Sequence, residues 1–246
     1  MLKNPDTLVS VHAYAGDLHQ VENNMSLYAH HGCQVCVLSP TDAPIERVEH
    51  PGVVCHQLGL KGWIGPQTLE RQRLHLEFLL RFPQKFFLCN DADSFCLSAK
   101  LPNYLYANPD VIWSNEVADL NPAPSLLPKL ALQPPYFLSR KTIEGMLRTW
   151  DHLPTSYYAG ADPANGCPVP TSCIDHVMLQ AAEGSGYPHH SFRDGASFET
   201  ESAVGLSTMV DLVQNHGRIF IHSVKTRPVM ERLVSARAQW ARENRG

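Results

Sequence analysis

Two carboxylates follow directly on an apolar run in the segment Lys85-Phe-Phe-Leu-Cys-Asn-Asp91-Ala-Asp93-Ser94. An apolar run bounded by polar residues is typical of a buried central strand. In open α/β sheets, ligands bind where strands end, because the chain leaves the sheet there. Asp91 and Asp93 would repel each other unless a cation or a shared proton compensated. Because Mg²⁺ and Mn²⁺ prefer oxygen ligands and usually bind substrate phosphates as well, the pattern indicates a metal held against a phosphorylated ligand.

The elements that must position this pair alternate between strands and helices. Strand-like runs occur at 7–13, 34–38, 53–58 and 86–89, and helical periodicity occurs at 18–28 and 69–80. Alternation of this kind predicts an α/β fold with a mostly parallel central sheet flanked by helices.

The second half of the chain is less regular. The patterns predict short strands at 111–113 and 135–138, a helix capped by Ser139, an irregular binding loop at 153–171 and a short helix from Ser172. They further predict a polar loop at 189–202, a helix at 204–216, a strand at 218–222 and a closing helix from Pro228. No repeat or low-complexity linker interrupts the chain, which predicts a single domain over 1–246.

Composition favours a soluble protein. The 246 residues are 43% hydrophobic and 18% charged, as in ordinary globular domains. No run approaches the roughly 18 apolar residues of a membrane span. The first residues carry no apolar signal-peptide segment. We therefore expect a cytoplasmic protein, while the sequence leaves its oligomeric state open.

Seven cysteines do not form an even set of disulfides. Cys33-x-x-Cys36 has redox or zinc spacing, but it leads into a strand-like run and no second pair follows, so we expect both thiols in the core. Cys167, Cys173 and His176 make only part of a zinc site, because a fourth ligand is not evident.

Charge is unevenly distributed along the chain. Residues 218–246 hold seven basic and two acidic residues, whereas the remainder holds 13 basic and 22 acidic residues. A basic tail on an acidic body is able to meet a polyanion, although such tails are more often solvated helix faces.

Several chemistries use closely spaced acids. An EF-hand loop that started at Asp91 would need glycine at its sixth position, where Cys96 stands. Haloacid-dehalogenase phosphatases place Thr or Val where this chain has Phe95, and their acids follow the first strand. Polymerase-β-type nucleotidyltransferases place Gly-Ser upstream of their acids, and that dipeptide is missing here. Two functions of the acidic pair stay open. One is that of a phosphohydrolase that uses both acids, and the other is that of a non-catalytic module that binds a nucleotide-sugar or a metal.

The order of elements before the Asp-x-Asp pair resembles the GT-A glycosyltransferases, which have a Rossmann-like fold and transfer sugar from a nucleotide-sugar donor. The resemblance implies a UDP-sugar such as UDP-glucose as donor and Mn²⁺ or Mg²⁺ as cofactor. It implies that Asp93 binds the cation and that Asp91 contacts the ribose or a water bound to the metal.

The resemblance extends to the loop after the first strand, His12-Ala-Tyr14-Ala-Gly-Asp17. In the family this loop binds the nucleotide base, which implies that Tyr14 stacks on the base and that Asp17 accepts a hydrogen bond from it. Asp17 and Gln20 also fit an N-terminal capping box, so a structural role for Asp17 stays open.

Two residues near the C-terminus match the family by position. His222, at the end of a late strand, corresponds to a histidine that often completes the metal shell. In His222-Ser-Val-Lys225, the lysine corresponds to one that contacts the diphosphate in some retaining members, although the family's glycine between the two is missing.

Three further residues complete the predicted site. Asp175 resembles an acceptor-side acid at the start of a helix, and it also suits N-terminal capping together with Ser172. Arg71 and Arg73, on the helix before the acidic strand, are able to reach phosphates, although exposed arginines are commoner than ligands.

The resemblance divides the chain into a nucleotide-sugar-binding half, 1–98, and an acceptor-binding half, 99–246. It leaves the acceptor open, with a hydroxyl of a saccharide and a hydroxyl of a hydroxymethylated DNA base as two candidates. A DNA base would have to be flipped into the pocket, with phosphate contacts from tail residues such as Arg237 and Arg242.

Overall fold

The computed structural model describes residues 6–22, 33–50, 52–59, 68–96, 101–119, 130–153, 174–193, 195–197, 220–222 and 226–243. For some residues at the ends of helices and strands, only the backbone is described. All statements below refer to these residues.

Ten strands occur in the described part of the chain. They are β1 (Thr7–His12), β2 (Gln34–Ser39), β3 (Val53–Gln57), β4 (Phe86–Asp91), β5 (Phe95–Cys96), β6 (Ile112–Asp119), β7 (Leu130–Ser139), β8 (His189–Ser191), β9 (Gly195–Ser197) and β10 (Phe220–His222).

Seven of these strands form one sheet in the order β3-β2-β1-β4-β7-β6-β8. Only β7 runs against its neighbours, so six strands point the same way. A second sheet of three strands has the order β5-β10-β9, and it brings the late strand β10 beside the segment that follows β4.

Five helices accompany the sheets in the described part of the chain. They are α1 (Thr68–Leu79), α2 (Asn103–Ala107), α3 (Arg140–Thr149), α4 (Ile174–Ser185) and α5 (Arg227–Glu243), together with 3-10 turns at Ala15–Asp17 and Trp150–His152. None of the described helices combines the length and the apolar character that a membrane crossing requires.

The central strand β1 is fully buried, which is why its sequence is nearly continuous in apolar residues. Alternate side chains of a strand point to opposite faces. Val9 and Val11 belong to one core, whereas Leu8 belongs to a second core that includes Leu76 and Leu79 of α1. The main sheet is therefore covered on both faces, with α1 above the face that carries Leu8.

The predicted α/β class with a mostly parallel sheet flanked by helices is confirmed. The strands predicted at 7–13, 34–38, 53–58 and 86–89 occur with small changes in length, and Ser139 caps α3 by accepting a hydrogen bond from the amide of Thr142. The helix predicted from residue 18 is described only as far as residue 22. The predicted loop at 153–171 beyond Leu153, and the helix at 204–216, lie outside the described residues.

The prediction of a polar loop at 189–202 was wrong. Residues 189–191 form β8, which pairs with β6, and residues 195–197 form β9, which pairs with β10. Both strands are three residues long and rich in histidine, serine and glycine, so they lack the apolar alternation by which strands are recognised. The predicted short strands at 111–113 and 135–138 belong to the longer β6 and β7.

Arg140 joins the end of α1 to the start of α3. Its guanidinium donates to the carbonyl oxygens of Leu80 (3.0 Å), Phe82 and Gln84 (3.1 Å). The last carbonyls of a helix have no partner within the helix, and a basic side chain is well suited to bind them. These hydrogen bonds fix the end of α1 relative to the start of α3, and with it the side chains that α1 presents to β1.

Arg140→Ala should lower the free energy of unfolding by about 2 kcal/mol, because charge-assisted bonds to buried or half-buried carbonyls are lost. Lys141→Ala is the matched control. It removes an exposed pair with Asp110 (2.6 Å), whose loss should cost much less than that of Arg140 because solvent screens the two charges. Urea denaturation measures both, and equal losses would contradict a special role for Arg140.

Candidate active site

The ends of β1 and β4 lie side by side. His12 is the register partner of Asp91, and the amide of Ala92 donates to the carbonyl of His12 at 2.9 Å. The chain after β1 is also tied to the chain after β2, since the amide of Ala13 donates to Leu38 (3.0 Å) and that of Ala15 to Ala43 (3.1 Å). Three parallel strands therefore end at one edge of the sheet, where α/β folds bind ligands.

Tyr14 and Asp17 form a tight turn at this edge. The carboxylate of Asp17 accepts a hydrogen bond from the amide of Tyr14 at 3.0 Å, and the amide of Asp17 donates to the carbonyl of Tyr14 at 2.9 Å. Asp17 thus has the structural role that the sequence left open, although it bonds to Tyr14 rather than forming a pair with Gln20. Tyr14 is half-buried.

Arg71 projects from α1 into this edge, and only 2% of its surface is exposed. Burial lowers the pKa of Arg71 to about 10, while Tyr14, Asp91 and Asp42 oppose the fall. All three therefore lie within electrostatic range of the guanidinium, which stays charged at neutral pH. Asp42 follows β2 and is exposed.

Tyr14 lies among the same charges. Burial raises the pKa of its phenol, as do the carboxylates Asp17, Asp91 and Asp42, and Arg71 opposes them. The phenol therefore stays protonated and is able to donate a hydrogen bond. Three carboxylates and one guanidinium act on this phenol, so its surroundings carry an excess of negative charge.

Behind Arg71, a hydrogen-bonded chain joins α1 to β1. Ser10 Oγ lies 3.0 Å from His75 Nε2, and His75 Nδ1 lies 2.9 Å from His12 Nε2. If His75 Nδ1 donates to His12, its Nε2 accepts from the hydroxyl of Ser10, and the opposite tautomer reverses both bonds. Each arrangement satisfies both nitrogens of His75 and Nε2 of His12 while the two rings are neutral.

Burial keeps these imidazoles neutral. It lowers the pKa of His75 to about 3, helped by the positive charge of Arg71. Burial also lowers the pKa of His12 well below its ordinary value, with further contributions from His75 and Arg71. His12, which the resemblance assigned to nucleotide binding, is 4% exposed and directs its ring to His75.

Arg73 lies on a different side of α1 from Arg71, because residues two apart are about 200° apart around a helix. Its guanidinium pairs with Glu77 (2.9 Å) and with Asp151 (2.8 Å), and about a third of its side chain is exposed. The structure therefore does not bring Arg73 to Asp91, although the sequence predicted the same role for both arginines.

Asp93 lies in the turn after β4, where the amide of Ser94 donates to the carbonyl of Asp91 at 3.0 Å. The next strand, β5, pairs with β10 so that Phe220 lies opposite Cys96 and Ile221 opposite Phe95. Because this pairing is antiparallel, His222 follows the paired residues of β10 on the side from which the chain enters β5 after Asp93 and Ser94. The assignment of His222 to a metal site stays a prediction.

The donor chemistry of this pair fits a divalent cation. Asp91 and Asp93 supply hard oxygen ligands, and Mg²⁺ is usually held by one or two carboxylates together with substrate phosphates. Among the side chains that the structure describes, no three His, Cys, Asp or Glu converge as a metal cage. The side chain of His222, the predicted third ligand, is outside that set, and so is Lys225.

Asp175 lies in the first turn of α4, of which the backbone is described. Met178, one turn later, accepts a hydrogen bond at its Sδ from Gln72 Nε2 of α1 at 2.9 Å. Helix α1 leads into β4, and α4 leads into β8. Both strands run parallel to β1, so both helices begin at the carboxyl edge of the sheet. The structure therefore places Asp175 at the same edge as Arg71.

Sequence reasoning missed His75 and Asp42. His75 had a signal: Arg71, His75 and Leu79 are four residues apart, which sets them on one face of a helix. Asp42 had none, because it is an exposed residue in a turn that only tertiary structure brings near Arg71. Cys33 and Cys36 are buried, as expected of core thiols.

No family model matches the chain, and no curated protein matches its sequence. Among solved structures, the fold is similar to that of a glycosyltransferase involved in the glycosylation of the major capsid of PBCV-1. The TM-score is 0.53 at 10% identity, over 96% of this chain and 100% of that chain. At this identity the likeness establishes the fold, an α/β Rossmann-like fold that a glycosyltransferase also adopts.

Stability should fall below neutral pH because of His75. Between its ordinary pKa of 6.5 and its folded pKa of about 3, the unfolded chain binds a proton that the folded chain does not. From pH 7 to pH 5, His75 should therefore remove about 2 kcal/mol from the free energy of unfolding. Urea denaturation at pH 7, 6 and 5 measures this slope.

His75→Asn should reduce that slope, while His12, whose pKa is also lowered, retains part of it. His152→Asn is the matched control, because that side chain is exposed before and after unfolding. An unchanged slope in His75→Asn would show that His75 does not titrate as its burial requires.

Proposed function

We propose that the protein is a metal-dependent glycosyltransferase that moves a sugar from a nucleotide-sugar donor, a UDP-sugar, to an acceptor hydroxyl. One observation carries the proposal: Asp91, the buried Arg71 and Tyr14 converge at the carboxyl edge of the sheet. The fold, which a solved glycosyltransferase shares, supports it.

In this proposal the first half of the chain binds the donor. Tyr14 stacks on the nucleotide base beside the turn that Asp17 stabilises. Arg71 faces the diphosphate and is pre-oriented by burial, so it gives electrostatic stabilisation as charge grows on the leaving group. Lys225 acts at the same place. Arg73, which is already paired with Glu77 and Asp151, has no part in it.

Asp93 and His222 would hold Mn²⁺ or Mg²⁺, and Asp91 would contact the ribose or a water bound to the metal. When bound, the ion would supply Lewis-acid stabilisation of the leaving diphosphate, often worth several kcal/mol. The protein's own contribution would be the excess of carboxylates around Tyr14, which would attract the cation, and the antiparallel pairing of β10 with β5 after the acidic pair.

The second half of the chain binds the acceptor. Asp175 deprotonates the acceptor hydroxyl in an inverting transfer, or positions it in a retaining one. We propose a saccharide acceptor, in line with the glycosylation in which the solved neighbour takes part. Nothing in the described tail favours a DNA base: Arg227 pairs with Glu231 at 2.8 Å, and Arg232 and Arg242 are exposed as on any solvated helix face.

Asp93→Ala and His222→Ala should each abolish Mn²⁺-dependent hydrolysis of a UDP-sugar. A cation held by few protein ligands binds too weakly once one of them is removed. EDTA should have the same effect on the unaltered protein. The matched control is Asp110→Ala, which removes an exposed carboxylate next to α2, away from the sheet edge.

Unchanged turnover in Asp93→Ala would defeat the metal assignment. Metal-dependent UDP binding without turnover would favour a non-catalytic binding module. Release of phosphate from simple phosphomonoesters would favour the phosphohydrolase.

Arg71→Met should weaken binding of UDP with Mn²⁺ at least about tenfold, because a charge-assisted contact to phosphate is worth roughly 1.5–3 kcal/mol. Arg73→Met removes the same group two residues away and should change this affinity less than about twofold. Isothermal titration calorimetry measures both. Equal effects of the two substitutions would contradict the assignment of Arg71.

A further inference from the structure

His75 lies on the same face of α1 as Arg71, one turn further from the sheet edge. Side chains four residues apart on a helix are neighbours on its surface. The rotation of α1 that is set at His75 therefore also sets the direction in which Arg71 leaves the helix. His75 is itself 1% exposed, so it does not reach a ligand.

The two hydrogen bonds of His75 are directional, unlike the apolar contacts of Leu76 and Leu79. Leu76 and Leu79 are fully buried and hold α1 against the sheet, but burial of apolar surface has no preferred angle. The hydrogen bonds to Ser10 and His12 require both distance and angle. They select one rotation and one height of α1 over β1.

The bond to His12 reaches the site itself. His12 ends β1 and is the register partner of Asp91, and Tyr14 follows two residues later. This bond thus ties the helix that carries Arg71 to the strand ends that carry Asp91 and Tyr14. The bond to Ser10 lies two residues deeper in the sheet.

We propose that His75 is a positioning residue for the donor site, and that its hydrogen bond to His12 holds Arg71 where the guanidinium meets the donor's diphosphate. The inference rests on the proposed function, because it names a residue that acts through Arg71 on the same ligand. It assigns to the buried polar chain a part in binding rather than in folding alone.

Three substitutions separate the two bonds. Asn places its amide where His75 has Nδ1, so His75→Asn keeps a partner for His12. Gln places its terminal nitrogen near the position of Nε2, so His75→Gln keeps a partner for Ser10, and His75→Leu keeps neither. The control is Gln84→Leu, which breaks a half-buried hydrogen bond to Gln34 (3.0 Å) at the opposite edge of the same sheet.

Binding of UDP with Mn²⁺ should be weakened at least about tenfold in His75→Leu and His75→Gln, as is usual when a residue that orients a ligand group is lost. His75→Asn should stay within about threefold of the unaltered protein. Gln84→Leu should lower stability without changing this affinity. If His75→Leu does not fold, the comparison of His75→Asn with His75→Gln decides.

A double-mutant cycle tests whether His75 acts through Arg71. In the Arg71→Met background, His75→Gln should weaken binding no further, because the group it orients is gone. A full additional loss would overturn the inference, and so would equal binding by His75→Asn and His75→Gln.

The two proposals fail in different ways. If the unaltered protein does not bind UDP with Mn²⁺, the proposed function is overturned and the inference with it. If the unaltered protein binds UDP and His75→Gln binds equally well, only the positioning role is overturned.

Discussion

The parallel pairing of β1 with β4 is the constraint on which the rest of the site depends. Parallel neighbours bring their carboxyl ends to one edge, and here the register sets His12 directly beside Asp91. The turn that holds Tyr14 starts from the same point, and the amide of Ala15 secures it to the segment that carries Asp42. Side chains from three separate parts of the chain therefore meet without any one loop having to reach far.

The buried guanidinium of Arg71 is the second decisive feature. Burying a charge is costly unless opposite charges compensate, and the carboxylates of Asp91 and Asp42 provide that compensation. The acids nevertheless outnumber the cation, since Asp17 also acts on Tyr14. The carboxylates of Asp91 and Asp42 are more exposed than the guanidinium of Arg71. In the proposed function, the carboxylates face the cation and the guanidinium faces the diphosphate.

Helix α1 separates these functions by face. Its inner face carries Arg71 and the hydrogen-bonded His75, whereas its outer face carries the exposed pair of Arg73 and Glu77. An exposed ion pair contributes little to stability and is screened by salt. A buried polar chain is demanding, because each member must find a partner, and it therefore specifies one arrangement of helix and strand.

The sequence by itself determined the fold class and the place of the acidic pair. The apolar run before Asp91 and the alternation of strands and helices are local patterns, and local patterns require only the periodicity of each element. The match of His222 by position was likewise available from the sequence, and its role stays a prediction.

Only the tertiary structure decided which of Arg71 and Arg73 faces the sheet, that Asp42 and His75 join the site, and that 189–197 contains two strands. His75 is 65 residues from Ser10 and 63 from His12 in the chain. The side of a helix that meets a strand so distant depends on how the elements pack together. That information lies in contacts between elements, which the periodicity of one element does not contain.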